Sequence, residues 1–182
     1  MRIQGGSSSG RNIKAPSAKD IRPTAQMVKE AIFDILASKI DGAYFLDIFA
    51  GFGTMGLEAA SRGAAKTVFA DKNRYAVSII KENISKLGLN DKCSVITADA
   101  KKAIETRLEG PFSIIFADPP YAFSEYGTIT KAIFDRNLLA EDGIFIMEHY
   151  HKTIIDPAGF EIFRTKKYGQ TSLTFMRVKK EE

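Results

Sequence analysis

The chain has one cysteine and no tryptophan in 182 residues. A lone thiol, Cys93, excludes both an internal disulfide and a cysteine-built zinc site. No apolar run approaches the roughly eighteen residues that a membrane span needs, and the opening MRIQGGSSSGRNIKAP contains no apolar h-region. These absences lead to the expectation of a soluble monomer in a reducing cytoplasm, with no membrane partner and no metal. Internal repeats are missing too, and the only biased stretch is Ser7-Ser8-Ser9. What is present is 45% hydrophobic and 26% charged, a balance that excludes a disordered chain, a collagen repeat or a coiled coil. A chain of this length builds one α/β domain with a full core.

Charge is unevenly spread. Residues 1–40 hold seven Lys/Arg against three acids, whereas residues 41–182 hold nineteen of each. Arg2, Arg11, Lys14, Lys19, Arg22 and Lys29 are interleaved with Gly, Ser and Pro. The expectation is a basic arm over residues 1–23, without a core of its own, that presents mobile cations to a polyanion such as nucleic acid. Residues 24–182 are then the folded domain.

Hydrophobic periodicity organises that domain. Thr24 is placed to cap a helix from Ala25, with apolar residues at Met27, Val28, Ala31, Ile32, Ile35 and Leu36 and a stop at Gly42. Short β-rich runs then alternate with amphipathic stretches. Strands are expected at 44–49, 67–70, 94–97, 112–117 and 143–148, with helices at 54–62, 73–87, 100–108 and 126–137. This rhythm predicts a parallel sheet with helical crossovers. Residues 160–166 and 171–178 instead alternate apolar and polar around Gly169, the pattern of an antiparallel hairpin. The predicted fold is a Rossmann-like, seven-stranded, mostly parallel sheet ending in that hairpin, with helices on both faces.

The first strand runs into Gly51-Phe52-Gly53-Thr54-Met55-Gly56 and then a helix, the strand-turn-helix setting in which G-x-G-x-x-G has meaning. Asp71, twenty residues after Gly51, lies at the end of the next strand, where an acid can accept from ribose hydroxyls. The cofactor is therefore expected to be a nucleoside. Asp47, four residues before Gly51, would repel the pyrophosphate that a dinucleotide lays on such a loop. S-adenosylmethionine carries an ammonium and a sulfonium and no phosphate, so an anionic rim suits it. Asp99, after the third strand, is placed to accept from an adenine amino group and also to cap the following helix. Ala50 and Ala100, beside Gly51 and Asp99, are counted to the same cofactor surface.

The fourth strand ends in Asp118-Pro119-Pro120-Tyr121, at the sheet edge where ligands of open α/β folds bind. A nucleobase amino group is a poor nucleophile because its lone pair is delocalised into the ring. Asp118 and the Pro119 carbonyl can each take one N–H and turn that lone pair toward a methyl donor, while Tyr121 stacks on the base. Such stacking is worth about 1–3 kcal/mol, comparable with the cost of extruding a base. No strong general base is needed, since the amine becomes acidic as it gains the methyl. His149 and His151 have no spaced third ligand for a metal, and Glu148 reads as a structural acid at a strand end.

With these motifs in hand, the chain resembles the bacterial 16S rRNA (guanine(966)-N2)-methyltransferases. The likeness rests on the run from Asp47 through the glycine loop to Ala59, on Asp118-Pro-Pro-Tyr121, and on Arg2-Ile-Gln-Gly-Gly6, Gly10-Arg11 and Arg22-Pro-Thr24, and it spans nearly the whole chain. Asp-Pro-Pro-Tyr alone is shared with DNA adenine methyltransferases and identifies the chemistry rather than the substrate. The resemblance implies methylation of a guanine N2 in 16S rRNA, on naked RNA, a protein-bound assembly intermediate or the small subunit. It implies Arg2, Arg11, Lys14 and Arg22 on phosphates, with Thr24 on the cofactor side. Asp71 stands where the family more often has Glu, and Phe52 and Thr54 where it has smaller residues. The alternatives are a DNA or RNA adenine-N6 methyltransferase, for which the short chain leaves no target-recognition region, a non-catalytic RNA-binding module, and a nicotinamide oxidoreductase.

Overall fold

A computed structural model of the protein describes residues 1–15 and 23–180, with the side chains of 23–25 excepted. Arg22 lies outside the described residues, and so does the side chain of Thr24. Seven strands form a single sheet: β1 (Tyr44–Ile48), β2 (Lys66–Asp71), β3 (Cys93–Thr97), β4 (Phe112–Ala117), β5 (Leu139–Tyr150), β6 (Phe160–Tyr168) and β7 (Thr171–Val178). Their spatial order is β3-β2-β1-β4-β5-β7-β6. The first five are parallel, and β7 pairs antiparallel with both β5 and β6. This is the predicted sheet, hairpin included.

An α-helix, α1 (Pro23–Ile35), precedes the sheet, and four more cross between strands: α2 (Thr54–Ser61), α3 (Arg74–Leu87), α4 (Ala100–Thr106) and α5 (Tyr126–Asp135). Local chemistry sets their ends. The Asn73 side chain accepts from the Tyr75 and Ala76 N–H groups, and Gly88 closes α3 at φ 72°, a conformation that costs a glycine nothing. α1 departs from expectation at both ends. It begins at Pro23, so Thr24 is its second residue and not its cap, because proline with its fixed φ takes the first helical position readily. It ends at Ile35, and turns carry the chain on to Gly42, whose N–H donates to Gly63 O at 2.9 Å. β5 starts at Leu139, ahead of Gly143, because Leu139 pairs with Phe112 before a register shift. The Glu141-Asp142-Gly143 turn-like sequence hid that start.

Alternation divides the sheet between two helical layers. Leu46, Ile48, Ile115, Ala117 and Met147 pack under α4 and α5. Phe45, Ile114, Phe116, Ile146, Leu173 and Phe175 pack under α1 and α2. A third cluster joins α2, α3 and β2 to the N-terminus, with Ile3 and Ile13 both buried.

That last cluster corrects the expectation of a loose basic arm. Residues 1–15 fold back on themselves, with Arg2 bridged to Asn12 and the Ile3 N–H donating to Arg11 O at 3.0 Å. Two isoleucines supply apolar anchors that the Gly/Ser composition concealed. The N–H groups of Gln4 and Gly5 then donate to the Glu58 carboxylate at 3.0 and 2.7 Å. Arg11 donates to the carbonyls of Leu87 and Lys86 at the C-terminus of α3, and Lys14 pairs with Glu82 at 2.9 Å. These cations are held by the body of the protein.

Candidate active site

The glycine loop is built as its motif demands. Phe49, at the end of β1, has φ 61°, and Gly51 and Gly53 follow at φ 53° and 77°, so the chain turns sharply from strand into α2. A side chain on Gly53 would press on Ile80 at 3.0 Å, and one on Gly56 would enter the Phe69 ring. The second glycine is thus required by its dihedral, and the third by close helix–sheet approach.

Acids surround this loop. The Asp71 carboxylate accepts from Gly51 N–H and from Asn73 N–H, both at 2.7 Å, which fixes it at the loop's edge with lone pairs to spare. Asp47 is 2% exposed and accepts from Gly56 N–H at 2.9 Å. Burial drives its carboxyl well above the ordinary carboxylate range; the Gly56 bond opposes this, and the charges of Asp118 and Asp71 add to it. Asp47, Asp71 and Asp118 are therefore near neighbours. Asp99 caps α4 by accepting from Lys101 N–H at 3.1 Å, and Ala100 is buried behind it. Among the described residues none of these four acids pairs with a lysine or arginine.

Beyond Asp118 lies a small, open pocket of about 40 Å³, lined by Asp118, Pro119, Tyr121, Tyr126, Glu148 and Tyr150, with His149 and Thr171. Tyr121 is 67% exposed at its mouth. The Pro119 carbonyl accepts no hydrogen bond among the described residues, whereas Pro120 O takes Phe123 N–H at 2.8 Å. Asp118 faces solvent on one side, yet the protein crowding its other sides desolvates the carboxyl and pushes its pKa up to about 6. Glu148 is pushed up to about 8, first by burial and then by the charge of Asp118. Both His149 ring nitrogens are engaged: Nδ1 donates to Tyr150 O at 2.9 Å and Nε2 accepts from the Thr174 hydroxyl at 2.8 Å. Burial holds this imidazole below its usual pKa, so it is a neutral structural group.

Residues 1–177 match the family described as Conserved hypothetical protein 95. The chain belongs to this family. It is 34% identical over 97% of its length to a Bacillus subtilis protein called "Putative rRNA methyltransferase YlbH", covering 98% of that protein. It is 30% identical over 94% of its length to "Ribosomal RNA small subunit methyltransferase D" of Escherichia coli, covering 87% of it. The solved structure "Putative methyltransferase yhhF from Escherichia coli" superposes with a TM-score of 0.87, 29% identity and 99% coverage of both chains.

This family member brings Asp47, Asp71 and Asp118 together, and places Pro119 and Tyr121 in one pocket with Asp118. Ala50, Gly51 and Gly53 form the loop beside them. Arg11 sits elsewhere: α3 begins at the carboxyl end of β2 and runs fourteen residues, roughly 20 Å at 1.5 Å per residue, before reaching it. Sequence reasoning missed the Glu148, Tyr126 and Tyr150 walls of the pocket. Glu148 had a usable signal, since Ala117 pairs with Met147 and so puts Asp118 beside Glu148 at the ends of adjacent strands. Tyr126 had none, because its approach depends on how α5 packs back over the sheet.

Proposed function

We propose that the protein transfers a methyl group from S-adenosylmethionine to the exocyclic N2 amino group of a guanine in 16S ribosomal RNA. The observation that carries this is the grouping of Asp47, Asp71 and Asp118, none ion-paired among the described residues, with Asp118 in the wall of the Asp-Pro-Pro-Tyr pocket. Burying carboxylates without partners is costly, and the cost falls when a cationic ligand arrives. A sulfonium and an ammonium meet that need; a pyrophosphate would worsen it. The likeness to relatives named as ribosomal RNA methyltransferases supports the same reading.

Asp47, Asp71, Ala50, Gly51, Gly53, Asp99 and Ala100, with Thr24, are the residues proposed to hold the cofactor, which supplies an electrophilic methyl on a positive sulfur. Asp118 is ionised above about pH 6 and accepts one amino N–H, while the Pro119 carbonyl accepts the other. The lone pair is thereby turned toward the donor, and Tyr121 fixes the ring by stacking. Alignment of nucleophile and electrophile is then the main source of rate. As the methyl bond forms, the nitrogen sheds a proton to Asp118 or to water. Arg2 and Arg22 are assigned to RNA phosphates, whereas Arg11 and Lys14, which the resemblance also implied there, are occupied by α3.

The deciding experiment is reaction of small-subunit rRNA with labelled donor, digestion, and identification of the modified nucleoside by mass spectrometry. N2-methylguanosine is expected. N6-methyladenosine would replace this reading with the adenine alternative, which the same acceptor motif serves.

A further inference from the structure

The C-terminal hairpin contributes more than a closing edge to the sheet. Residues 160–180 carry six Lys/Arg and a single acid, Glu161, which is bound by Arg177 at 2.9 Å. Arg164, Lys166 and Lys167 make no ion pair among the described residues. In this they differ from Arg11 and Lys14 at the other end of the chain, whose donors are taken by α3.

Register shows where these cations point. Residues directly opposite across paired strands share a face of the sheet. Tyr150 pairs with Thr171, which pairs with Tyr168, and Tyr150 and Thr171 both line the acceptor pocket. The next row is Glu148, Leu173 and Lys166, and Arg164 opposite Phe175 lies on the same face beyond it. Tyr150 at the pocket and two cations on β6 thus share one face, with Tyr168 packed against the α1–α2 core, and β6 lies two strand spacings, about 10 Å at 4.8 Å per strand, from β5. Lys167, opposite Ser172 and His149, points to the other face.

We infer that this face of the hairpin, Tyr150, Lys166 and Arg164, is a track for the single-stranded RNA that flanks the target nucleotide. The inference rests on the RNA-methylation reading above and extends it to how the substrate is held. A base can enter the pocket only when unstacked from its neighbours, and unstacked neighbours are what aromatic side chains and interleaved cations bind. The hairpin tip is at the carboxyl edge of the sheet, beside the pocket, whereas the Arg11 end of the N-terminal segment is a helix length away.

The test compares Arg164→Gln/Lys166→Gln with Lys167→Gln, measuring binding of a 16S rRNA transcript across a salt series. Each lost single-strand phosphate contact lowers the slope of log affinity against log salt by about 0.7. The double variant is expected to lose about 1.4 and Lys167→Gln to lose almost nothing, with S-adenosylmethionine affinity by calorimetry unchanged in both. Restoring the charges as Arg164→Lys/Lys166→Arg is expected to restore the slope. Equal losses per charge on the two faces, or an unchanged slope in the double variant, would overturn the track. So would an unchanged slope accompanied by self-association in sedimentation, since the cations would then serve only to guard an edge strand. If the unaltered protein neither binds nor methylates the transcript, the RNA reading itself fails, a result separable from a silent hairpin in an active enzyme.

Discussion

Glu58 and Asp47 are two buried carboxylates on either side of the start of α2, and they finish in opposite electrostatic states. Burial pulls Glu58 upward, but donation by Gln4 N–H, Arg62 and Lys29 outweighs it and holds the group below its usual range. Gly5 N–H adds a further donor at 2.7 Å, and Lys29 reaches Glu58 at 2.9 Å with both side chains nearly inaccessible. At Asp47 burial outweighs the single backbone donor, and the acidic neighbours add to it, so it rises. Glu58 is satisfied by its own chain and ties the N-terminal segment to the body. The cleft acids are left for a ligand to satisfy. Among buried charges, being fully partnered marks structure, and being unpartnered beside an opening marks a binding site.

The largest expected effect of breaking this contrast is at Glu58. Glu58→Ala leaves Lys29 buried without its partner and frees the donors of Gln4 and Gly5, a loss of about 3–5 kcal/mol of stability by denaturant unfolding. Residues 1–15 should become sensitive to proteolysis in the same variant. Asp47→Asn should do the reverse. Removing a charge that the folded chain disfavours leaves the midpoint of thermal unfolding unchanged or higher, while S-adenosylmethionine binding weakens by about tenfold to a hundredfold, the worth of one charge-assisted contact. A stable Glu58→Ala protein, or a destabilised Asp47→Asn protein with normal donor affinity, would erase the distinction.

The two acid sets also give stability opposite slopes against pH. A carboxyl raised by folding keeps a proton that the unfolded chain has already lost. Stability therefore falls as pH climbs from the ordinary carboxylate range through about 6 for Asp118 and on to about 8 for Glu148. Glu58 is lowered by folding, so its contribution is complete above its ordinary 4.5 and is lost as pH drops through the lowered value. Without ligand, thermal stability should peak in mildly acidic buffer. Saturating S-adenosylmethionine should move that maximum toward alkaline pH, because a cation stabilises the ionised cleft. Thermal scans from pH 4 to 9 with and without the donor measure both slopes; a maximum that stays in place on adding donor would mean that the cleft acids do not face it.

How far these regions could be read from sequence follows from the range of the interactions that build them. The glycine loop, Asp71 and Asp-Pro-Pro-Tyr were legible because each is a local pattern attached to a strand end, and a parallel sheet brings strand ends together without further instruction. The β6–β7 hairpin was legible for the same reason, from alternation and one glycine. The N-terminal segment was not. Its Gly/Ser-rich sequence looks like a tail until Ile3 and Ile13 are seen to dock on α2 and α3, contacts more than forty residues away in sequence. Nor was the role of Glu58 visible, since its partners come from positions 4, 5, 29 and 62. Glu148 was read as structural because strand pairing, not chain proximity, sets it against Asp118.

The smallest expected effect concerns Arg11, which the sequence offered as a mobile cation. Its guanidinium instead donates to the Leu87 and Lys86 carbonyls, where the end of α3 leaves backbone acceptors open and the helix dipole is negative. Arg11→Gln removes the charge and keeps some donor capacity, so stability should fall by only about 0.5–1 kcal/mol. Hydrogen exchange should localise the change to the last turn of α3 and to residues 10–14, with α1 and the glycine loop unaffected. Loss confined to that turn would show the N-terminal cation acting as a helix cap. An unchanged exchange pattern would return Arg11 to the class of unattached surface charges that Arg164 and Lys166 represent at the other end of the chain.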